Sequence, residues 1–190
     1  MPESIRFIRN EVRFRMNGAK GIPNWLRSIA KKEGSEIGEL TYIFCTDDFL
    51  LDLNRLHLGH DYYTDIITFD LSSVFDRPAG STWNNGRGTR RSDLSLKSRL
   101  RPKIQGEIYI SVDRVRENAV GFGVTFQNEL LRVMSHGLLH LLGYKDKSKM
   151  DKVRMREKEE ECLKKILGST WNKGSRSLRL RSGSGGFEGE

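Results

Sequence analysis

Cysteine is nearly absent from these 190 residues. Cys45 and Cys162 are the only two, far apart in sequence and without the close spacing of paired ligands, so neither a disulfide framework nor a cysteine zinc site is indicated. The start of the chain, Met1 to Arg6, has no basic segment leading into an apolar run. No later stretch approaches the roughly 20 apolar residues that span a bilayer. Export and membrane anchoring are therefore not expected, and a reducing cytoplasm is the predicted setting. Histidine is also scarce, with four in the chain, so the placing of each one carries information.

The chain has charge in excess, at a net +8, but that charge is unevenly spread. From Val74 to Lys103 eight basic residues, among them Arg87, Arg90, Arg91, Arg99 and Arg101, face two acids, a local +6. The tail from Asn172 contributes a further +2, and the remainder is neutral. Basicity gathered into appendages suits arms that track a polyanion, with RNA as a candidate. These positions are expected to contact phosphate, and Trp83 to offer a base-stacking surface.

Apolar periodicity and punctuation outline the elements. Ile5 and Phe7, then Val12, Phe14 and Met16, alternate as a first strand interrupted between Arg9 and Glu11. Asn24 to Ala30 reads as a short helix, Leu40–Cys45 as a buried strand. Thr46 is positioned to cap a helix whose apolar face is Phe49, Leu50, Leu53 and Leu56. Asp65–Asp70 and Gly106–Ser111 read as two more strands, joined by the polar insertion 74–103, which composition predicts to be flexible. A helix from Phe126 to Leu142 is capped by Thr125 and stopped by Gly143. Another from Met150 to Leu167 turns Val153, Met155, Cys162, Leu163 and Ile166 toward the core. The expected fold is α+β: a small mixed sheet of about four strands packed against helices, forming one domain over 1–167, with 168–190 a disordered Gly/Ser/Arg tail.

His136 and His140 are four residues apart within a helix, so their imidazoles emerge one turn apart on one face. Gly143 can adopt the left-handed conformation that ends the helix and swings Asp146 back toward them. Two nitrogens and a carboxylate oxygen suit one Zn²⁺ with a coordination position left open. The ligands are thus predicted to be His136, His140 and Asp146, on a core helix and the turn after it. A zinc peptidase of the His-Glu-x-x-His type carries its general base directly after the first histidine. This chain has Gly137 there, which disfavours a metallopeptidase and is read as leaving room beside the metal for a phosphodiester. Asp65 and Glu107 are candidates for orienting water or ligand, and Thr64 and Ser111 for donating to phosphate.

The segment His136-Gly-Leu-Leu-His-Leu-Leu-Gly-Tyr144 resembles the signature His-Gly-x-Leu-His-Leu-x-Gly-Tyr of the YbeY endoribonucleases. Tyr63 to Phe69 and Gly106 to Ser111 resemble that family's Pro-Thr-Asp-Val-Leu-Ser-Phe and Gly-Asp-Ile-x-Ile-Ser strands. The resemblance implies a metal-dependent enzyme that cuts single-stranded RNA, matures the 3′ end of 16S ribosomal RNA and takes part in ribosome quality control. Its implied partners are the small ribosomal subunit or its precursors, ribosomal proteins and assembly GTPases, with no membrane. Three departures stand out. The usual third ligand is histidine where this chain has Asp146. The family's Arg-Gly-x-Asp is replaced by Leu58-Gly59-His60-Asp61, so Arg55, His57 or His60 is expected to take over phosphate contact nearby. The insertion 74–103 exceeds the usual short connection. A ribosome-assembly factor with a structural zinc is the alternative from outside enzymes.

Overall fold

A computed structural model describes residues 4–72 and 101–168. Strand β1 (Ser4–Arg9) leads through a 3₁₀ turn to α1 (Ile22–Lys32), β2 (Glu36–Cys45), α2 (Asp47–Leu58) and β3 (Ile66–Asp70). Strand β4 (Lys103–Ser111) is followed by three helices, α3 (Val112–Phe122), α4 (Phe126–Leu141) and α5 (Lys149–Leu167). The expected α+β class and four-stranded mixed sheet are what the chain adopts. Strand order is β1-β2-β4-β3, with β1, β2 and β4 parallel and β3 antiparallel at the edge. Strand β2 is central and covered on both faces, which is why it reads as a nearly unbroken apolar run.

Side chains alternate across the sheet, and this decides which of them meet the histidine helix. On one face Leu40, Tyr42, Phe44, Ile108 and Ile110 pack against Trp25 and Leu26 of α1, Leu130, Met134 and Leu138 of α4, and Leu163 of α5. On the other face α2 covers a smaller cluster of Cys45, Leu50 and Ile67, with Phe69 and Tyr109 at its margin. Tyr42 stitches the larger core to α4, its buried hydroxyl donating to the Met134 carbonyl at 3.0 Å. Both cysteines are buried and free, and burial pushes their thiols up, to about 12 for Cys45 and about 11 for Cys162.

Several expectations are corrected. The first strand ends at Arg9, because Glu11 takes a positive φ of 58°; Val12, Phe14 and Met16 still reach the core but lie outside any strand. In α2 the buried positions are Leu50, Leu51 and Asn54, while Leu56 is exposed. In α5 Val153 is exposed, and Glu159 occupies the core stripe with Met155, Cys162 and Leu163. Helix α3 was not anticipated, although Ser111 caps it through the Arg114 amide and Gly123 closes it. The insertion 74–103 and the tail lie outside the described residues except for Arg101, Pro102, Lys103 and Gly168; Lys103 already belongs to β4. Among the described residues no helix is long and apolar enough to cross a membrane.

Candidate metal centre

Helix α4 begins as expected, with the Thr125 hydroxyl accepting from the Asn128 amide at 3.2 Å. It ends in a Schellman motif. The Tyr144 amide bonds the Leu139 carbonyl at 3.0 Å, the Gly143 amide bonds that of His140 at 2.9 Å, and Gly143 sits at φ 91°. That turn brings Asp146 back over the last helical turn. Its Oδ2 lies 4.0 Å from His136 Nε2 and 3.8 Å from His140 Nε2, and the three residues form a group whose ligand atoms lie within 4.8 Å of one another.

The remaining ring nitrogens set the character of this group. His140 Nδ1 is 3.0 Å from the Tyr144 carbonyl oxygen, which can only accept, so Nδ1 carries the proton and Nε2 the lone pair. His136 Nδ1 is 2.5 Å from Glu159 Oε1, which makes the same assignment for the second ring. The two Nε2 atoms approach to 3.0 Å. Burial, and after it the repulsion a second protonated ring at His136 would add, lowers the pKa of His140 and favours the neutral form that can bind a metal. Three electron-rich atoms converging in this way fit a divalent cation bound by two nitrogens and one oxygen. Exposure rises through the set, from 17% for His136 to 28% for His140 and 44% for Asp146, so the site opens to solvent on the carboxylate side.

Two supports lie behind this group. On α4, one turn before His136, Arg132 pairs bidentately with Glu129 at 2.7 and 2.9 Å, reaches both oxygens of Glu159 at 3.4 Å and meets Asp65 at 3.5 Å. Burial opposes ionisation of Glu159, but the His136 hydrogen bond and the Arg132 charge outweigh it and hold this carboxyl below its usual range. At the turn, the Tyr144 hydroxyl donates to Glu33 at 2.7 Å, Lys158 pairs with Glu33 at 2.7 Å, and the Lys158 ammonium lies over the Tyr144 ring.

Gly137 does not border the metal group. A Cβ there would stand 2.8 Å from Ile66 and 2.9 Å from Ile108, so the glycine lets α4 settle onto β3 and β4 and does not make room for a phosphodiester. A glutamate at this position would be driven into the sheet, which removes the peptidase-type base on steric grounds.

The other candidates are dispersed. Asp65 is tied to Arg132 and accepts from Asn118 at 3.5 Å. Glu107 accepts from the Tyr109 hydroxyl at 2.9 Å on the sheet face opposite α4, so alternation keeps it from the histidines. Thr64 donates to the Ile66 carbonyl, and Ser111 donates to Asp47 while capping α3. Arg55 is paired with Asp52 and Asp61, and His60 stacks on Tyr62. Arg101 is exposed, whereas Trp83, Arg87, Arg90, Arg91 and Arg99 lie outside the described residues. Sequence reasoning missed Glu159 and Arg132. The signal for Glu159 was a glutamate on an apolar stripe, four residues after Met155 and three before Cys162.

Comparison with known proteins agrees with this architecture. The chain is 44% identical over 161 residues to a Cytophaga hutchinsonii protein named Endoribonuclease YbeY, covering 85% of this chain and 94% of that one. It is 42% identical over 154 residues to a Flavobacterium psychrophilum protein of the same name, covering 81% and 91%. A solution structure of a Thermotoga maritima protein matches with a TM-score of 0.50 at 28% identity, over 96% of this chain and all of that one. The family profile described as Endoribonuclease YbeY matches residues 7–167. Running from within β1 to the end of α5, that match means the chain belongs to the YbeY endoribonuclease family.

Proposed function

We propose that this protein is a zinc-dependent endoribonuclease that hydrolyses single-stranded RNA in the cytoplasm and acts in ribosomal RNA processing. The observation that carries this reading is the convergence of His136 Nε2, His140 Nε2 and Asp146 Oδ2, with both Nδ1 atoms already engaged, in a chain of the YbeY family. A zinc ion held there would supply Lewis acidity toward a phosphodiester oxygen and a site at which water becomes acidic enough to attack.

The protein's own residues do the rest. His136 and His140 present neutral nitrogens, and Asp146 offers an anionic oxygen from the exposed side, where an extended RNA strand has access. Three ligands on an open surface suit catalysis better than the closed four-ligand sets of structural zinc, which places the non-catalytic assembly-factor reading second. Phosphate contact falls to Arg101 and to the basic residues Arg87, Arg90, Arg91 and Arg99, with Arg55 and His60 on the α2 side. Asp65 contributes through Arg132. Precursors of 16S ribosomal RNA within the small subunit are the proposed substrates, with ribosomal proteins and assembly GTPases as partners.

The test is cleavage of single-stranded RNA by purified protein of measured metal content, beside His136→Ala and Asp146→Ala. Loss of bound metal together with at least about a hundredfold loss of cleavage in His136→Ala is the expected result, in line with the transition-state charge stabilisation a metal supplies. Undiminished cleavage by a folded, metal-free His136→Ala protein would overturn the reading.

A further inference from the structure

A buried glutamate on the core stripe of α5 calls for a reason, since a well-packed apolar side chain there would serve stability as well or better. Glu159 is 7% exposed and is flanked along the stripe by Met155 and Cys162. Its Oε1 accepts a hydrogen bond from His136 Nδ1 at 2.5 Å, and both its oxygens face Arg132 Nη1 at 3.4 Å. Arg132 is itself locked by its two bonds to Glu129 and by Asp65. The guanidinium therefore holds the carboxylate, and the carboxylate holds the ring.

We infer that Glu159, fixed by Arg132, is a positioning residue for the metal centre: by accepting from His136 Nδ1 it selects the tautomer and ring orientation that aim Nε2 at the cation. This inference rests on the metal reading above. A histidine in solution favours the other tautomer, with its proton on Nε2, and that form cannot ligate through Nε2. A carboxylate behind the ring removes the competing form and makes the ligating nitrogen more electron-rich. His140 obtains the same orientation from a backbone carbonyl, that of Tyr144. Only His136 depends on a side chain from another helix. The same contact also reads as a plain ion-pair tie between α4 and α5, and the two roles differ in what happens to the imidazole proton when Glu159 is replaced.

The experiment uses the full chain stripped of metal, as wild type, Glu159→Leu, Glu159→Gln and His136→Ala. Zinc affinity is measured by competition with a chromophoric chelator, and the His136 tautomer by ¹⁵N–¹H correlation at one neutral pH. Far-ultraviolet circular dichroism verifies that each protein is folded. The expected result is a zinc affinity about 10- to 100-fold weaker in Glu159→Leu, with the His136 proton moved from Nδ1 toward Nε2. Glu159→Gln retains an accepting oxygen, so it should fall between Leu and wild type and rescue part of the Nδ1–H signal. It also serves if the leucine variant does not fold. Wild-type zinc affinity and an unmoved Nδ1 proton in either folded variant would reduce Glu159 to an interhelical tie and overturn the inference. Equal zinc affinity of wild type and His136→Ala would overturn the metal reading itself, and the inference with it.

Discussion

The two halves of the metal group are built on different principles. His136 and His140 stand on a helix pressed against the sheet through Gly137, and each ring is fixed by a hydrogen bond at Nδ1. Asp146 stands on a turn, 44% exposed, and its place is set at second hand by Tyr144, which Glu33 and Lys158 clamp from α1 and α5. A helix face transmits position through core packing. A turn transmits it only through the few polar contacts that tie it down. The helical half should therefore fail abruptly when altered, and the turn half by degrees.

Removing a helical ligand should have the largest effect. His136→Ala is expected to abolish stoichiometric zinc binding, read by metal analysis after dialysis, along with cleavage. Next comes the packing under the helix. Gly137→Ala forces a Cβ to within 2.9 Å of Ile66 and Ile108, and overpacking of this kind costs about 1–3 kcal/mol. Thermal melts should show a fall of about 2–4 °C per kcal/mol for a chain of this size. Asp146→His tests the turn half, since it puts there the imidazole that the resemblance to the YbeY endoribonucleases implies. Zinc affinity within about tenfold of wild type is expected, because imidazole and carboxylate both suit the ion; a total loss would mean that the turn is as rigid as the helix. Tyr144→Phe should weaken zinc binding only a few-fold, because the ring and its backbone carbonyl remain while the hydroxyl bond to Glu33 is lost.

The smallest effect is electrostatic. Burial opposes ionisation of Glu33, but the hydrogen bonds from Lys158 and Tyr144 and the charges of Lys158 and Lys32 leave its pKa lowered overall. A carboxyl whose folded pKa is depressed adds stability above its unfolded pKa and loses it as pH falls through the folded one. Chemical denaturation should therefore show stability declining below about pH 5, and more shallowly in Glu33→Gln. Equal slopes in the two proteins would show that the clamp acts through packing alone.

What was legible in the sequence follows the range of the interaction. His136, His140, Gly143 and Asp146 span eleven residues, and helical periodicity together with one left-handed glycine was enough to bring them together. The caps at Thr46 and Thr125 were legible for the same reason. Errors arose where a side chain's direction depended on a distant element. Glu107 alternates onto the α2 face, Gly137 turns to the sheet rather than the metal, and Leu56 and Val153 fall off the apolar stripes of their helices. Helix α3 is marked by local signals alone, the Ser111 cap, the buried Val112, Val115 and Ala119, and Gly123 at its end.

By itself the sequence determined that His136, His140 and Asp146 converge, since a helix repeats every 3.6 residues wherever it lies and glycine readily takes the left-handed turn that follows. It also determined the α+β class and the family signature. Only the tertiary structure decided how those side chains are held. Arg132 and Glu159 come from two helices, Asp65 precedes the edge strand β3, and Glu33 closes α1. Pairings separated by tens of residues leave no periodicity in the chain, and packing of α4 and α5 onto one sheet face is what makes them neighbours.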